Sequence, residues 1–349
     1  MNVLIIGGTG NISTGIVKAL RERFSGEGET TTITVFNRGQ TTDSLPPEVK
    51  RLHGDRNDFA AFEKQFADKT WDVVIDMICF RSEQAESGLR AFAGRTGHFL
   101  FCSTVCTYGN TQTVVPTTES MPLAAQSPYG KNKAACEAIF FKAFRGGAFG
   151  AGNGFTVLRP SHTIGAGNKL HGNLGGSPTF IDRLRRGLPV IVSGDGHGLW
   201  QLASADDVGR GFAYAVGRPQ TFGEAYNVVA DQIRTWDEVT CTIAAALGAP
   251  APKIVHIPTD LLLAIDAKRY GGLREIFQYH GVYSNAKIRR DIPEFQNRTP
   301  IAETIRKAVA WMDAHGYIKS AETDSHEDKL IDMFRAFSES AVKMLAPAK

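Results

Sequence analysis

Tyr129 and Lys133 stand four residues apart in Ser127-Pro128-Tyr129-Gly130-Lys131-Asn132-Lys133, a segment that opens a predicted helix running to about Phe144. Pro128 near its start is what first helical turns allow. Four residues is about one helical turn, so the phenol and the ammonium share a face. A tyrosine ordinarily ionises near pH 10, and a neighbouring positive charge lowers that value by favouring the phenolate. Such a phenol can give a proton to a substrate oxygen, or take one from it, while a hydride moves at the adjacent carbon. Ser103 and Thr104 each carry a hydroxyl that can hydrogen-bond the same oxygen. Tyr-x-x-x-Lys alone is a common accident, and a half-buried Tyr beside a surface Lys is its plain alternative. What precedes it in the chain decides how it is read.

The chain opens with Val3-Leu4-Ile5-Ile6-Gly7-Gly8-Thr9-Gly10-Asn11-Ile12-Ser13. A short run of β-branched residues and Leu is the signature of a buried parallel strand. Glycines then allow a sharp turn and close approach of backbone to a ligand. After them Ile12, Ile16, Val17 and Leu20 fall on one helical face. Strand, glycine turn and helix N-terminus make a site for the pyrophosphate of a dinucleotide, held by Gly7, Gly8, Thr9, Gly10, Asn11 and Ile12.

The elements that follow deliver further residues to the same edge. Thr32–Phe36 reads as the second strand and ends in Asn37-Arg38. A carboxylate at this position favours a free ribose hydroxyl. The neutral Asn37 followed by Arg38 tilts the expectation from NAD towards NADP, although Arg38 as a solvated loop residue is an equal reading. Arg51–His53 is a short third strand, followed by Gly54-Asp55-Arg56. Asp55 either accepts from an adenine amino group or caps the helix at 59–66. Trp71–Asp76 is the fourth strand, and Met77, Ile78 and Cys79 at its carboxyl end either line the cofactor or fill the core. Gly97–Cys102 is the fifth strand, leading into Ser103 and Thr104. Phe155–Leu158 is the sixth. Strands alternating with helices predict an α/β protein built on a doubly wound parallel sheet.

Bulk properties set limits. The chain has 349 residues, of which 42% are hydrophobic, enough for one large domain or two smaller ones. With 39 basic and 36 acidic residues the net charge is +3, which argues against a dedicated nucleic-acid or membrane surface. No apolar run is long enough for a membrane span. The first strand begins too early to leave room for a signal peptide, and the five scattered cysteines form no Cys-x-x-Cys pair. Both facts predict a cytoplasmic protein with reduced thiols and no metal.

Composition shifts after residue 165. Residues 166–177 are glycine-rich and read as a mobile loop able to close over a substrate, and helices predominate from Trp236. The expected division is a dinucleotide domain over 1–165, with 203–232 packing back onto it, and a smaller, mainly helical substrate domain over 166–202 and 233–349.

In order, Gly7-Gly8-Thr9-Gly10-Asn11-Ile12, Gly54-Asp55-Arg56, Ser103-Thr104 with Tyr108-Gly109, Tyr129-x-x-x-Lys133, Leu158-Arg159-Pro160 and Gly194-Asp195-Gly196 resemble the extended short-chain dehydrogenase/reductases, the NAD-dependent epimerase/dehydratase group. The resemblance covers most of the chain to about residue 250. It implies a Rossmann domain, a C-terminal substrate domain, and Thr104, Tyr129 and Lys133 as the catalytic set. Cofactor contacts implied with it are Asn37, Arg38, Asp55, Arg56, Met77, Ile78, Cys79, Ser103, Tyr129, Lys133, Pro160 and His162, with Lys133 on the nicotinamide ribose. Substrate contacts are Thr104, Tyr108, His162, Asn173 and Trp200. Members typically act on nucleotide-linked sugars and often dimerise. Three departures stand out. Ser13 replaces the last glycine of the turn, Asn37 replaces an acidic residue, and Trp200-Gln201 stands where the family often has Arg-Asp. The last weakens the case for a sugar diphosphate and leaves Trp200 as a platform for a bare sugar ring or as packing. Val35–Gly39, His53–Arg56 and Trp71–Asp76 also resemble the chloroplast stem-loop RNA-binding proteins, which share this fold. The chain has no basic patch interleaved with aromatics to support that alternative.

Overall fold

A computed structural model describes residues 1–26, 31–40, 45–110 and 114–345. Two compact units are present: Met1–Gly165 with Gln201–Gln232 and Val282–Thr299, and Ala166–Trp200 with Ile233–Gly281 and Pro300–Lys349. Placing all of 233–349 in the second part is therefore corrected for 282–299. Ile288, Ile292 and Phe295 bury into the first unit's core and bring that segment back.

The first unit runs β1 (Asn2–Ile6), α1 (Asn11–Arg23), β2 (Thr32–Asn37), β3 (Lys50–His53), α2 (Phe59–Phe66), β4 (Trp71–Asp76), α3 (Ser82–Phe92), β5 (Thr96–Cys102), α4 (Pro128–Arg145), β6 (Gly154–Pro160) and β7 (His162–Ile164). In the second unit α5 (Phe180–Arg185), β8 (Pro189–Ser193) and β9 (Leu199–Trp200) follow. Then come β10 (Leu202–Ser204), α6 (Ala205–Ala215) and β11 (Glu224–Val228), back in the first.

Seven strands form one parallel sheet in the order β11-β6-β5-β4-β1-β2-β3. The order reverses direction at β1 and β4, which is where open α/β sheets bind ligands beyond the strands' carboxyl ends. Side chains alternate across β1. Val3 and Ile5 join Ile16, Leu20 and Phe212 on one face. Leu4 and Ile6 meet Phe36, Phe62, Phe66, Phe99, Phe140 and Phe155 on the other. A side chain at Gly15 would come within 2.4 Å of the Ala205 carbonyl, so α1 and α6 pack backbone to backbone only because glycine stands there.

The second unit continues with β12 (Arg234–Thr235), α7 (Trp236–Ala246), β13 (Lys253–Ile257) and α8 (Thr259–Ile265). Beyond α9 (Ala286–Asp291), which belongs to the first unit, come α10 (Ile301–Ala314) and α11 (His326–Leu345). β8 pairs with β13, β9 with β12, and the helices bury Leu174, Ile191, Ile257, Leu262 and Leu330. Among the described residues, no helix is long and apolar enough to cross a membrane.

One buried group ties the sheet to pH. His98 of β5 accepts from Gly217 N on Nδ1 at 3.1 Å, so Nε2 carries the proton facing Thr156 Oγ1 at 2.9 Å. Burial pushes its pKa down from 6.5 to about 3. Between those values the unfolded chain holds more protons than the folded one, so stability falls as pH falls. The contribution is whole above pH 6.5 and declines by up to about 1.4 kcal/mol per pH unit below it. Urea unfolding at stepped pH is expected to show wild type losing its advantage over His98→Gln on acidification. Parallel curves for the two proteins would refute the assignment.

Candidate active site

The turn after β1 is built around three constraints. Gly7 has φ +83°, and a side chain there would meet Ile78 Cγ2 at 2.5 Å. A side chain at Gly8 would meet Val35 Cγ1 at 2.3 Å. Ser13, in place of the expected third glycine, is buried and donates its hydroxyl to the Gly7 carbonyl at 2.7 Å, closing the turn from inside. Gly10 caps α1 with no side-chain hydrogen bond, no acidic residue lies in the first helical turn, and the nearest atom to a Cβ built there is 3.7 Å away. Asn11 donates to the Thr163 carbonyl at 3.2 Å, and its buried Oδ1 has no partner among the described residues. Half-buried Thr9 and Ile12 flank the turn. Uncapped N–H groups and the absence of negative charge in the first turn are what a pyrophosphate site requires, so the residues present fit a dinucleotide.

Where adenosine would lie, the picture is mixed. Asn37 Oδ1 accepts from Gly39 N at 2.8 Å, which fixes the strand end without a carboxylate. Arg38 is exposed and helps keep Asp55 ionised. Asp55 accepts from Asn57 N at 2.8 Å, and this bond is the main reason its pKa lies below the usual carboxylate value. The cap of α2 is Asp58, which accepts from Ala61 N at 3.1 Å, so the capping alternative for Asp55 is corrected. Arg56 is corrected too. Its guanidinium is buried on Asp76 at 3.3 Å, on the Gln84 carbonyl and over the Phe62 ring, where it holds β4 to α3 rather than facing a ligand.

At the end of β4, Ile78 backs the glycine turn, whereas Met77 and Cys79 turn into the core and do not line a surface. Cys79 Sγ lies 3.8 Å from Cys136 Sγ. Ser103 is buried and donates to Glu137 rather than towards a ligand. Thr104 accepts from Cys106 N at 3.2 Å, and its hydroxyl lies in hydrogen-bond reach of the Tyr129 phenol. Tyr129 is 44% exposed, yet desolvation around its hydroxyl pushes its pKa above the tyrosine norm, with the Thr104 bond acting in the opposite direction. This corrects the expected lowering by Lys133. That ammonium is 1% exposed and donates to the Cys102 carbonyl at 2.6 Å, between the Phe80 and Phe101 rings at 4.5 and 4.9 Å.

Tyr108 and Pro160 are buried, and His162 is half-buried at the start of β7. The Tyr108 hydroxyl donates to Asn227 at 2.8 Å and accepts from Arg159 at 2.7 Å, which turns it away from any substrate. Arg159 also grips Glu137 through two bonds, at 2.9 and 2.5 Å. This buried chain of Ser103, Glu137, Arg159, Tyr108 and Asn227 begins at the residue before Thr104, and no spacing rule reveals it.

In the second unit two expected substrate contacts prove to be packing. Trp200 is 7% exposed, stacked on Trp236 with ring centroids 4.8 Å apart and closed off by Gly281. Asn173 accepts from Ser193 N at 2.6 Å and donates to the Phe277 carbonyl at 3.3 Å. These bonds also anchor the glycine-rich 166–177 segment expected to be a mobile cover.

Comparison with known proteins identifies the family and the fold. The chain is 26% identical over 330 residues to a 2'-dehydrokanamycin reductase of Streptomyces kanamyceticus, spanning 95% of this chain and 90% of that one. It is also 26% identical over 270 residues to the chloroplast stem-loop binding protein of 41 kDa b of Arabidopsis thaliana, spanning 73% and 65%. A crystal structure of UDP-glucose 4-epimerase from Thermotoga maritima with UDP-glucose shares the fold, with a TM-score of 0.66 at 20% identity over 90% of this chain and 99% of that one. The profile of the NAD dependent epimerase/dehydratase family matches residues 3–229, from the first strand of the sheet to the seventh, and the chain belongs to that family.

Proposed function

We propose that the protein is a reductase that takes NADPH and reduces a carbonyl on a sugar or sugar-like ring. The observation that carries this reading is Tyr129, a half-exposed phenol in reach of Thr104 and held protonated by its surroundings. A phenol whose pKa lies above its usual value is a weaker acid, but it stands fully protonated at neutral pH, which is the starting state the reductive direction needs. Gly7, Gly8, Gly10 and Asn11 would hold the pyrophosphate, Arg38 the ribose phosphate and Lys133 the nicotinamide ribose. The bound dinucleotide supplies the hydride. Thr104 orients the substrate oxygen, and Tyr129 passes its proton to that oxygen. A relative aligned over 95% of the chain is named a reductase, which supports this direction.

Two measurements test the reading. Denaturing the purified protein and identifying released nucleotide by mass spectrometry is expected to give none held tightly, with NADPH binding when added. Tightly held NAD would overturn the reductase reading in favour of a redox-neutral enzyme. Binding of neither dinucleotide, with salt-sensitive RNA affinity instead, would favour a non-catalytic protein. Arg38→Ala is expected to weaken NADPH binding by about tenfold and leave NADH unchanged, in line with loss of one exposed charge-assisted contact. Equal effects on both would remove the NADP preference.

A further inference from the structure

Phe80 is the residue at this edge that the reading above leaves without a role. It follows the fourth strand by four positions and is 42% exposed, although the core beside it has room for many phenylalanines. Its backbone is pinned, because Phe80 N and Arg81 N both donate to Gln84 Oε1, at 2.6 and 3.1 Å. So placed, the ring covers Lys133 Nζ at 4.5 Å and lies 6.4 Å from the Tyr129 ring. A half-exposed Phe gains little from burial. What its position achieves is to cover one side of a buried ammonium whose other contacts are the Cys102 carbonyl and Phe101.

We infer that Phe80 is a positioning residue for the Tyr129–Lys133 pair: its ring clamps the Lys133 ammonium against the Cys102 carbonyl and shields the neighbouring Tyr129 hydroxyl from water. The inference rests on the reading of Tyr129 and Lys133 as the working pair. The ionisable groups around that pair are the Cys102 and Cys106 thiols near Tyr129 and the Cys79, Cys102 and Cys136 thiols near Lys133, with Asp76 acting on the same three thiols. Among these, Asp76 is held by Arg56 and Cys79 by Cys136, so none substitutes for the ring as a cover. The fixed backbone and the cation–π contact explain why an aromatic stands where solvent reaches it.

The test needs no substrate. Trace acylation of the full-length protein with acetic anhydride, read by peptide mass spectrometry, reports access to Lys133. Ultraviolet difference titration of each variant against its own Tyr129→Phe counterpart reports the Tyr129 phenol. Phe80→Ala is expected to raise Lys133 acylation by about tenfold, the scale of a partly desolvated cation–π contact, and to move Tyr129 ionisation to lower pH. Phe80→Tyr is expected to keep both at the wild-type level, and Phe80→Leu, which keeps apolar bulk without the π face, to raise acylation. Unchanged acylation and titration in Phe80→Ala and Phe80→Leu would overturn the inference, and Phe80→Leu decides alone if the alanine variant does not fold. Full turnover in Tyr129→Phe would instead overturn the proposed function, whatever Phe80 does, so the two failures are distinguishable.

Discussion

Replacing Tyr129 by Phe is expected to lower kcat by about 10²- to 10⁴-fold, the range for loss of a positioned acid or base, while NADPH affinity changes by less than about twofold. The substitution removes one hydroxyl and keeps the ring, so contact with Phe80 survives and the half-exposed site is not left with a cavity. Thr104 keeps its bond from Cys106 N and can still accept or donate at a substrate oxygen. The loss therefore falls on proton delivery. Steady-state kinetics with NADPH and a ketosugar, set beside fluorescence titration of NADPH, separates the two quantities. A variant with wild-type kcat would show that some other group supplies the proton. One that fails to bind NADPH would show that the phenol is part of the cofactor site instead.

The strand, turn and helix that frame this site were legible in the sequence because they depend on local pattern. Hydrophobic alternation and glycine placement identify the first strand and turn, and the i, i+4 spacing puts Tyr129 and Lys133 on one helix face. What the side chains touch was not legible, because it depends on partners distant in the chain. Lys133 meets a carbonyl at the end of β5, and its ring cover comes from the end of β4. Arg56 reads as a ligand residue until Asp76 and Gln84 close around it. Trp200 reads as a sugar platform until Trp236, Phe277 and Gly281 enclose it. Phe80 is one of 21 phenylalanines, and only its exposure beside a buried ammonium sets it apart. Ser13 shows the reverse: an apparent departure from the turn's pattern becomes one of its fastenings.

The buried network behind Thr104 leads to the other large effect. Arg159→Leu is expected to destabilise the protein by about 3–5 kcal/mol, because it strands a buried carboxylate. Glu137 would keep only the Ser103 hydroxyl after losing both guanidinium bonds, and the Tyr108 hydroxyl would lose its charged donor. For a chain of 349 residues such a loss lowers Tm by about 4–7 °C, measurable by calorimetry. The cost lies mainly in the uncompensated charge, not in the absence of a favourable pair. The double variant Arg159→Leu/Glu137→Met is therefore expected to recover most of the stability, since it replaces two buried ions by apolar groups of similar length. It should not recover activity to the same degree. Ser103 precedes Thr104 and is held by Glu137, so a free Ser103 loosens the residue that orients the substrate oxygen. If the double variant were no more stable than the single one, the network would be contributing through its own attraction, and the argument from stranded charge would fail.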